Sequence, residues 1–254
     1  MIIGVRSRGE LPKMFLGTPE ESEESAEEWA RGLVEGEGVS GVGGFSLCFG
    51  RLGRSRVEGE EDRERHDGVN GRSERQLGIV SNRMKEAKEV RWLEGGTWGL
   101  SNAHYGDRTW PKVVHGEELL GDLVRKSASS KNEQQDELIE KCFEILSTDT
   151  LPKWQEGESW TSFVKELRNS IFIPAIGEPA KAQHTSADEL AAGKSNHKVN
   201  ASTSGAYGTQ RQTVMLIDHA GKVTFVERAL YDRGGAPVPT DERDTRFEFN
   251  IQGW

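Results

Sequence analysis

The 254-residue chain lacks several features that would assign its class at once. It has only two cysteines, Cys48 and Cys142, and they stand far apart, which excludes a disulfide framework and a Cys-x-x-Cys metal site. No apolar run approaches the roughly 18 residues that a membrane-spanning helix needs. The opening Met-Ile-Ile-Gly-Val-Arg has no apolar core ahead of small cleavage-site residues, so it does not read as a secretory signal. Positive charge is also short: 33 Lys+Arg against 42 Asp+Glu leave a formal net charge of −9. That balance argues against a general nucleic-acid binder, whose affinity comes from displacing counterions from phosphate. Hydrophobic residues make up only 34% of the chain, whereas glycine is plentiful at 30 residues, more than a compact helical protein carries. These bounds predict an acidic, cytosolic α+β protein with much loop.

The negative charge is concentrated. Between Thr18 and Gly38 stand eight glutamates and one basic residue, Arg31. The stretch predicts a helix with Thr18 as N-cap, Pro19 in the first turn and Glu21 three residues after the cap. Ala26, Trp29, Ala30 and Leu33 fall on one stripe, and Gly36 ends it. The glutamates read as a solvated face rather than an acidic docking site. Phe45, Leu47 and Phe49 alternate with Ser46 and Cys48 and predict a strand over 44–50. From Arg51 to Arg75 seven arginines face seven acidic residues with almost no large apolar side chain. Such a polyampholyte does not offset its ordering entropy, so a mobile insertion is expected at about 51–76. Strands are expected again at Leu77–Asn82 and Glu89–Leu93.

Two helices follow in the pattern, one from near Trp110-Pro111 with Val113, Val114, Leu120, Leu123 and Val124, the other over about 132–147 with Leu138, Ile139, Cys142, Phe143 and Leu146. A third, short one is expected over 159–169, and a second mobile loop over 177–204. Thr213–Asp218, the turn His219–Lys222 and Val223–Ala229 read as a β-hairpin. A final strand is expected over Thr245–Ile251, with Phe247, Phe249 and Ile251 directed inward. Helix, strands, helices and then antiparallel strands make an α+β chain rather than a βαβ repeat, and a single domain over 1–254 is expected.

Motifs with chemical meaning are few. Gly36-Glu-Gly-Val-Ser-Gly41 fits G-x-G-x-x-G, but it follows a helix and leads into a strand, the reverse of a dinucleotide turn. Cys142 lies on an apolar stripe, where a thiol acts as a small hydrophobe, and packing is also the favoured reading of Cys48. The six histidines are scattered without partners at metal-ligand spacing, so no metal site is expected. His104 stands apart because it adjoins a compact polar cluster with Ser101 and Asn102.

Three blocks in order carry a resemblance. They are Ser7-Arg-Gly-Glu-Leu11, opening a helix with Phe15 and Leu16; Gly96-Thr-Trp-Gly-Leu-Ser-Asn102 with Trp110-Pro-Lys-Val113; and Tyr207-Gly-Thr-Gln-Arg-Gln-Thr-Val214, continuing through Gly221–Arg228 to Arg246-Phe-Glu-Phe249. Together they resemble the Transport and Golgi Organisation 2 family, also called NRDE after its Asn-Arg-Asp-Glu motif. The resemblance implies an N-terminal-nucleophile-hydrolase-like αββα sandwich of mainly antiparallel sheets. It also implies a role in Golgi organisation and protein secretion, with haem and lipid trafficking proposed for relatives, in the cytoplasm or at Golgi or mitochondria. Family members begin Met-Cys, which exposes a cysteine whose own α-amino group serves as base. Residue 2 here is Ile, the Asn-Arg-Asp-Glu motif is missing, and Asn82-Arg83 continues into Met84-Lys85.

The expectation is therefore an N-terminally truncated or divergent member, non-catalytic as written, with exposed sheet edges and poor solubility. The alternative is an amide hydrolase of N-terminal-nucleophile type whose nucleophile segment is absent from this chain. No catalytic residue and no resident cofactor are assigned, and haem enters only as a cargo implied by the resemblance. Partners are expected to be a small molecule, haem or lipid, or a secretory-pathway protein. The candidate ligand-binding residues are Ser101, Asn102, His104, Tyr207, Thr209, Arg211 and Thr213. In a strand Thr209, Arg211 and Thr213 share a face. Against that reading, Ser101 and Asn102 would bond their own backbone at a strand end, and Arg211 would pair with a carboxylate.

Overall fold

Serine and glutamate at the spacing Ser-x-x-Glu fix where the acidic helix begins, and it is not where Thr18 suggests. In the computed structural model, which describes residues 7–18, 24–36, 38–39, 41–50, 77–130, 134–153, 163–176 and 207–252, that helix is α2, Ala26–Glu35. Ser25 Oγ accepts from the Glu28 amide at 3.1 Å and the Glu28 carboxylate accepts from the Ser25 amide at 2.8 Å, a complete capping box. Thr18 instead closes the preceding helix α1, Glu10–Leu16, its hydroxyl donating to the Met14 carbonyl at 3.4 Å. Both threonine and serine offer the same local signal, and the packing of the helix selects between them. Pro19 and Glu21 lie outside the described residues, as do the insertion expected at 51–76 and the loop expected at 177–204.

The chain forms two compact units, one up to Asp107 and one from Arg108 to Gln252. In the first, β1 (Ser46–Gly50), β2 (Leu77–Ser81) and β3 (Arg91–Leu93) make an antiparallel sheet in that order. Helices α1 and α2 pack on it. Burial follows the pattern expected of α2: Trp29, Ala30 and Leu33 join Phe49, Val80 and Val90 in one apolar cluster. Its centre is a group of rings, with Phe49 5.0 Å from Trp29, 5.6 Å from Phe15 and 5.7 Å from Trp92. Gly78 stands between Phe49 and Trp92 in the register, and a Cβ there would lie 2.7 Å from Phe49 and 2.9 Å from Trp92. The strand thus needs glycine at that point to admit two aromatic neighbours. Gly36 caps α2, and Gly38 and Gly41 lie in the turn beyond it, so the G-x-G-x-x-G run leaves a helix as its flanks predicted.

In the second unit α3 (Pro111–Ser129) and α4 (Gln135–Leu146) precede a short 3-10 turn at Val164–Arg168 and the sheet β4 (Arg211–Ile217), β5 (Lys222–Ala229), β6 (Asp244–Asn250). The sheet is antiparallel in chain order. Pro111 occupies the first turn of α3, where its missing N–H costs nothing. Asp218 builds the hairpin, its carboxylate accepting from the Ala220 and Lys222 amides at 2.8 and 2.9 Å, while Gly221 takes φ +79°. Helix α4 covers one face of this sheet, with Ile139 and Phe143 packed on Val214 and Val226 and Cys142 beside them.

The other face is open. Phe247 and Phe249, expected to point inward, are 57% and 54% exposed, and Met215 in β4 is 57% exposed. Alternation gave the correct period but not the covered side: Phe247, Phe225 and Met215 align across the strands on the face away from α4. Four helices and two antiparallel three-stranded sheets among the described residues make the chain α+β, as expected.

Candidate functional site

The ends of β1 and β2, the start of α1 and the loop after β3 surround a cavity of about 580 Å3 in the first unit. Its size suits a small-molecule ligand. Each wall has a local cause. The β2 strand ends at Ser81, whose hydroxyl accepts from the Arg83 amide at 3.4 Å, and Asn82 turns back so that its side-chain oxygen accepts from the Phe45 amide at 3.3 Å. That bond ties the exit of β2 to the entry of β1. Arg8 stands at the entry to α1 and donates to the Gly44 carbonyl at 3.4 Å. Leu11, Phe45, Leu47 and Leu100 supply apolar wall, and Ser46, Ser101 and Asn102 supply polar groups.

The electrostatics are one-sided. Arg8, Arg83 and His104 line the cavity, and among the described residues no aspartate or glutamate does. The guanidinium of Arg83 donates to Nε2 of His104. Neither Arg8 nor Arg83 meets a carboxylate among the described residues. Both are exposed at the cavity edge.

Of the residues proposed from sequence, Ser101, Asn102 and His104 meet in this cavity. Ser101 and Asn102 lie in the loop past β3, not at the end of a strand. The loop is held in part by Trp98, whose indole donates to the Glu94 carbonyl at 2.9 Å and whose ring lies 6.4 Å from Tyr105. The other four belong to the second unit. Tyr207 bridges Ile176 by a pair of backbone bonds of 2.8 Å. Thr209 exchanges bonds with Ile173, its hydroxyl accepting from that amide at 3.0 Å. Arg211 and Thr213 share the open sheet face, alternating with buried Gln212 and Val214, and Arg211 pairs with Glu227. Arg8, Asn82 and Arg83 were not singled out from sequence for this site. Their signal was present: Arg8 lies within the first matched block, and Arg83 directly follows a strand pattern.

The cysteines sit elsewhere. Neither lines the cavity. Cys48 is on the exposed side of β1, and partial desolvation of its sulfur pushes the thiol up, which disfavours the thiolate. No group of three or more His, Cys, Asp or Glu among the described residues is arranged to hold a metal ion.

Comparison with known proteins adds identity to this geometry. The chain is 24% identical over 162 residues to the Transport and Golgi organization 2 homolog of Mus musculus, covering 63% of this chain and 46% of that protein. The corresponding proteins of Bos taurus and Homo sapiens are 25% and 24% identical, with the same coverage. The matched segment thus spans a little under half the length of these relatives. The family described as Transport and Golgi organisation 2 matches residues 2–232, which include most of both units, and the chain belongs to that family.

Proposed function

We propose that this chain is a non-catalytic, ligand-handling member of the family, serving Golgi organisation and protein secretion. Its first-unit cavity receives a molecule with an anionic group and an apolar body, the chemical class of haem and of anionic lipids. The observation that carries this reading is the lining itself: two arginines that meet no carboxylate among the described residues, beside Leu11, Phe45, Leu47 and Leu100. A guanidinium binds carboxylate or phosphate in a planar, two-pronged fashion, and the leucines and Phe45 suit a hydrocarbon or ring system. Neither cysteine lines the cavity, which favours binding over thiol-based turnover. Ser101, Asn102 and His104 orient the ligand by hydrogen bonds, whereas Tyr207, Thr209, Arg211 and Thr213 organise the second unit.

For the family fold we propose the αββα sandwich of N-terminal-nucleophile hydrolases. Two antiparallel three-stranded sheets, each with helix packed on one face, support it. No helix among the described residues is long and apolar enough to cross a membrane, which suits attachment to Golgi or mitochondria from the cytoplasmic side through a bound ligand or partner.

The test is a titration with haem and, separately, with a long-chain fatty acid, followed by Soret absorbance and calorimetry. Arg83→Ala and Arg8→Ala are each expected to weaken binding by about tenfold or more, the worth of one charge-assisted hydrogen bond. Both should leave the melting temperature within a few degrees, because each arginine is exposed. Binding untouched by the double variant would overturn the reading, and turnover of an amide substrate by this chain would favour the hydrolase alternative.

A further inference from the structure

We propose that the outer edge of β6 is the two-fold interface of a homodimer, in which β6 pairs antiparallel with β6 of a second copy about Phe247. The strand is the edge of its sheet, and all seven of its residues are exposed. Edge strands of natural proteins are normally shortened, bulged, charged or blocked by proline to prevent such pairing, and of these devices β6 carries only charges, Asp244, Arg246 and Glu248, of mixed sign. The register of β6 runs unbroken from Asp244 to Asn250, and the strand contains no proline.

The backbone fixes which groups face outward. The Arg243 carbonyl accepts from Ala229 and the Ile251 amide donates to Gly221, so the odd-numbered residues turn their N–H and C=O toward β5. Asp244, Arg246, Glu248 and Asn250 therefore direct theirs to the free edge, where no partner for them exists among the described residues. In an antiparallel pair such outward residues must oppose one another, with the inward residues forming the non-hydrogen-bonded pairs between them. A two-fold axis at Phe247 satisfies that rule at every position.

The side chains select this axis over its neighbours. With Phe247 opposite Phe247 of the second copy, Arg246 opposes Glu248 and Glu248 opposes Arg246, and Asp244 opposes Asn250. Sliding the axis by one residue places Arg246 against itself or Glu248 against itself. Directly opposed like charges destabilise a sheet, whereas opposite charges and aromatic pairs stabilise it. The strand is thus self-complementary in one register, as an isologous interface requires. Pairing also places the two Phe247 rings together on the open face, extending the Met215–Phe225–Phe247 row into the second copy.

Charge exchange tests the proposal on the full chain by sedimentation equilibrium from about 1 to about 200 μM, a range that reads micromolar dissociation constants. The wild-type chain is expected to dimerise. Arg246→Glu and Glu248→Arg each place like charges opposite one another and are expected to raise the dissociation constant by about tenfold or more. An equimolar mixture of the two restores opposite charges and is expected to recover dimers containing one of each. The double variant Arg246→Glu/Glu248→Arg should dimerise with itself but not with wild type, an outcome that stands even if a single variant folds poorly. A wild-type chain monomeric throughout would overturn the proposal and assign the edge to another occupant. So would single variants as dimeric as wild type, or a double variant that mixes freely with it.

Discussion

The arginines at the first-unit cavity and those around the second-unit sheet sit in opposite circumstances. Around the first-unit cavity Arg8 donates to a carbonyl and Arg83 to an imidazole, and neither meets a carboxylate among the described residues. In the second unit Arg228 is held by Glu140 and Asp244, Arg211 by Glu227, Arg246 by Asp136 and Glu248, and Arg108 by Glu117. Arg228 shows the matched case fully. It is only 6% exposed, donates to Asp244 at 2.8 and 2.7 Å and to Glu140 at 3.1 and 2.7 Å, and lies 3.9 Å from the centre of the Phe143 ring. Such a guanidinium clamps α4 to the sheet with four of its five N–H groups engaged by carboxylates. The cavity arginines, which meet no carboxylate among the described residues, retain donors, and the proposed anion site rests on that contrast.

The contrast is broken or sharpened by substitution, beginning with the core that supports the cavity. Phe49→Ala empties the centre of the ring cluster and is expected to cost about 3–5 kcal/mol, read by denaturant unfolding. Ligand affinity per folded molecule should fall less than with Arg83→Ala if the rings only support the site.

Arg228→Ala comes next, at about 2–3 kcal/mol. It removes two bidentate pairs and a cation–ring contact, but its carboxylate partners keep access to water, so the loss falls short of a fully buried pair. The same clamp gives a pH signature. Arg228, by hydrogen bonding and by charge, holds the Asp244 carboxyl below its ordinary range. A depressed carboxyl stabilises the fold above its unfolded value and loses that contribution as pH falls through the folded one. Asp244→Asn should therefore be less stable than wild type near neutrality and converge with it in thermal melts below about pH 4.

The smallest effect belongs to Arg211→Ala. Its pair with Glu227 is on the exposed face, with side chains 49% and 33% accessible, so a change under about 1 kcal/mol is expected. Ligand affinity should not move. Loss of binding comparable with Arg83→Ala would erase the distinction between paired and unpaired arginines.

Much of the fold was legible in the chain because the signals were periodic and local. The Leu77–Ser81 strand, the Pro111 helix and the Asp218–Lys222 turn all lie where apolar spacing and turn chemistry place them. The errors came where two local signals were equivalent or where a pattern left a face undetermined. Thr18 and Ser25 both precede a glutamate by three residues, and only packing made Ser25 the cap. Phe247 and Phe249 alternate correctly, yet alternation does not say which side a helix will cover. The site was half legible: Ser101, Asn102 and His104 form a compact polar run, but the two arginines that complete the cavity come from distant segments.

Local sequence was enough to place most of the helices and strands, the concentration of acid on one helix and the family to which the chain belongs. These depend on neighbours a few positions apart, where spacing decides which side chains and backbone groups can meet. Only the tertiary structure decided which arginines find carboxylates and which remain at a cavity edge. That outcome depends on strand register and on which helix covers which face, contacts made across long separations that no local pattern encodes.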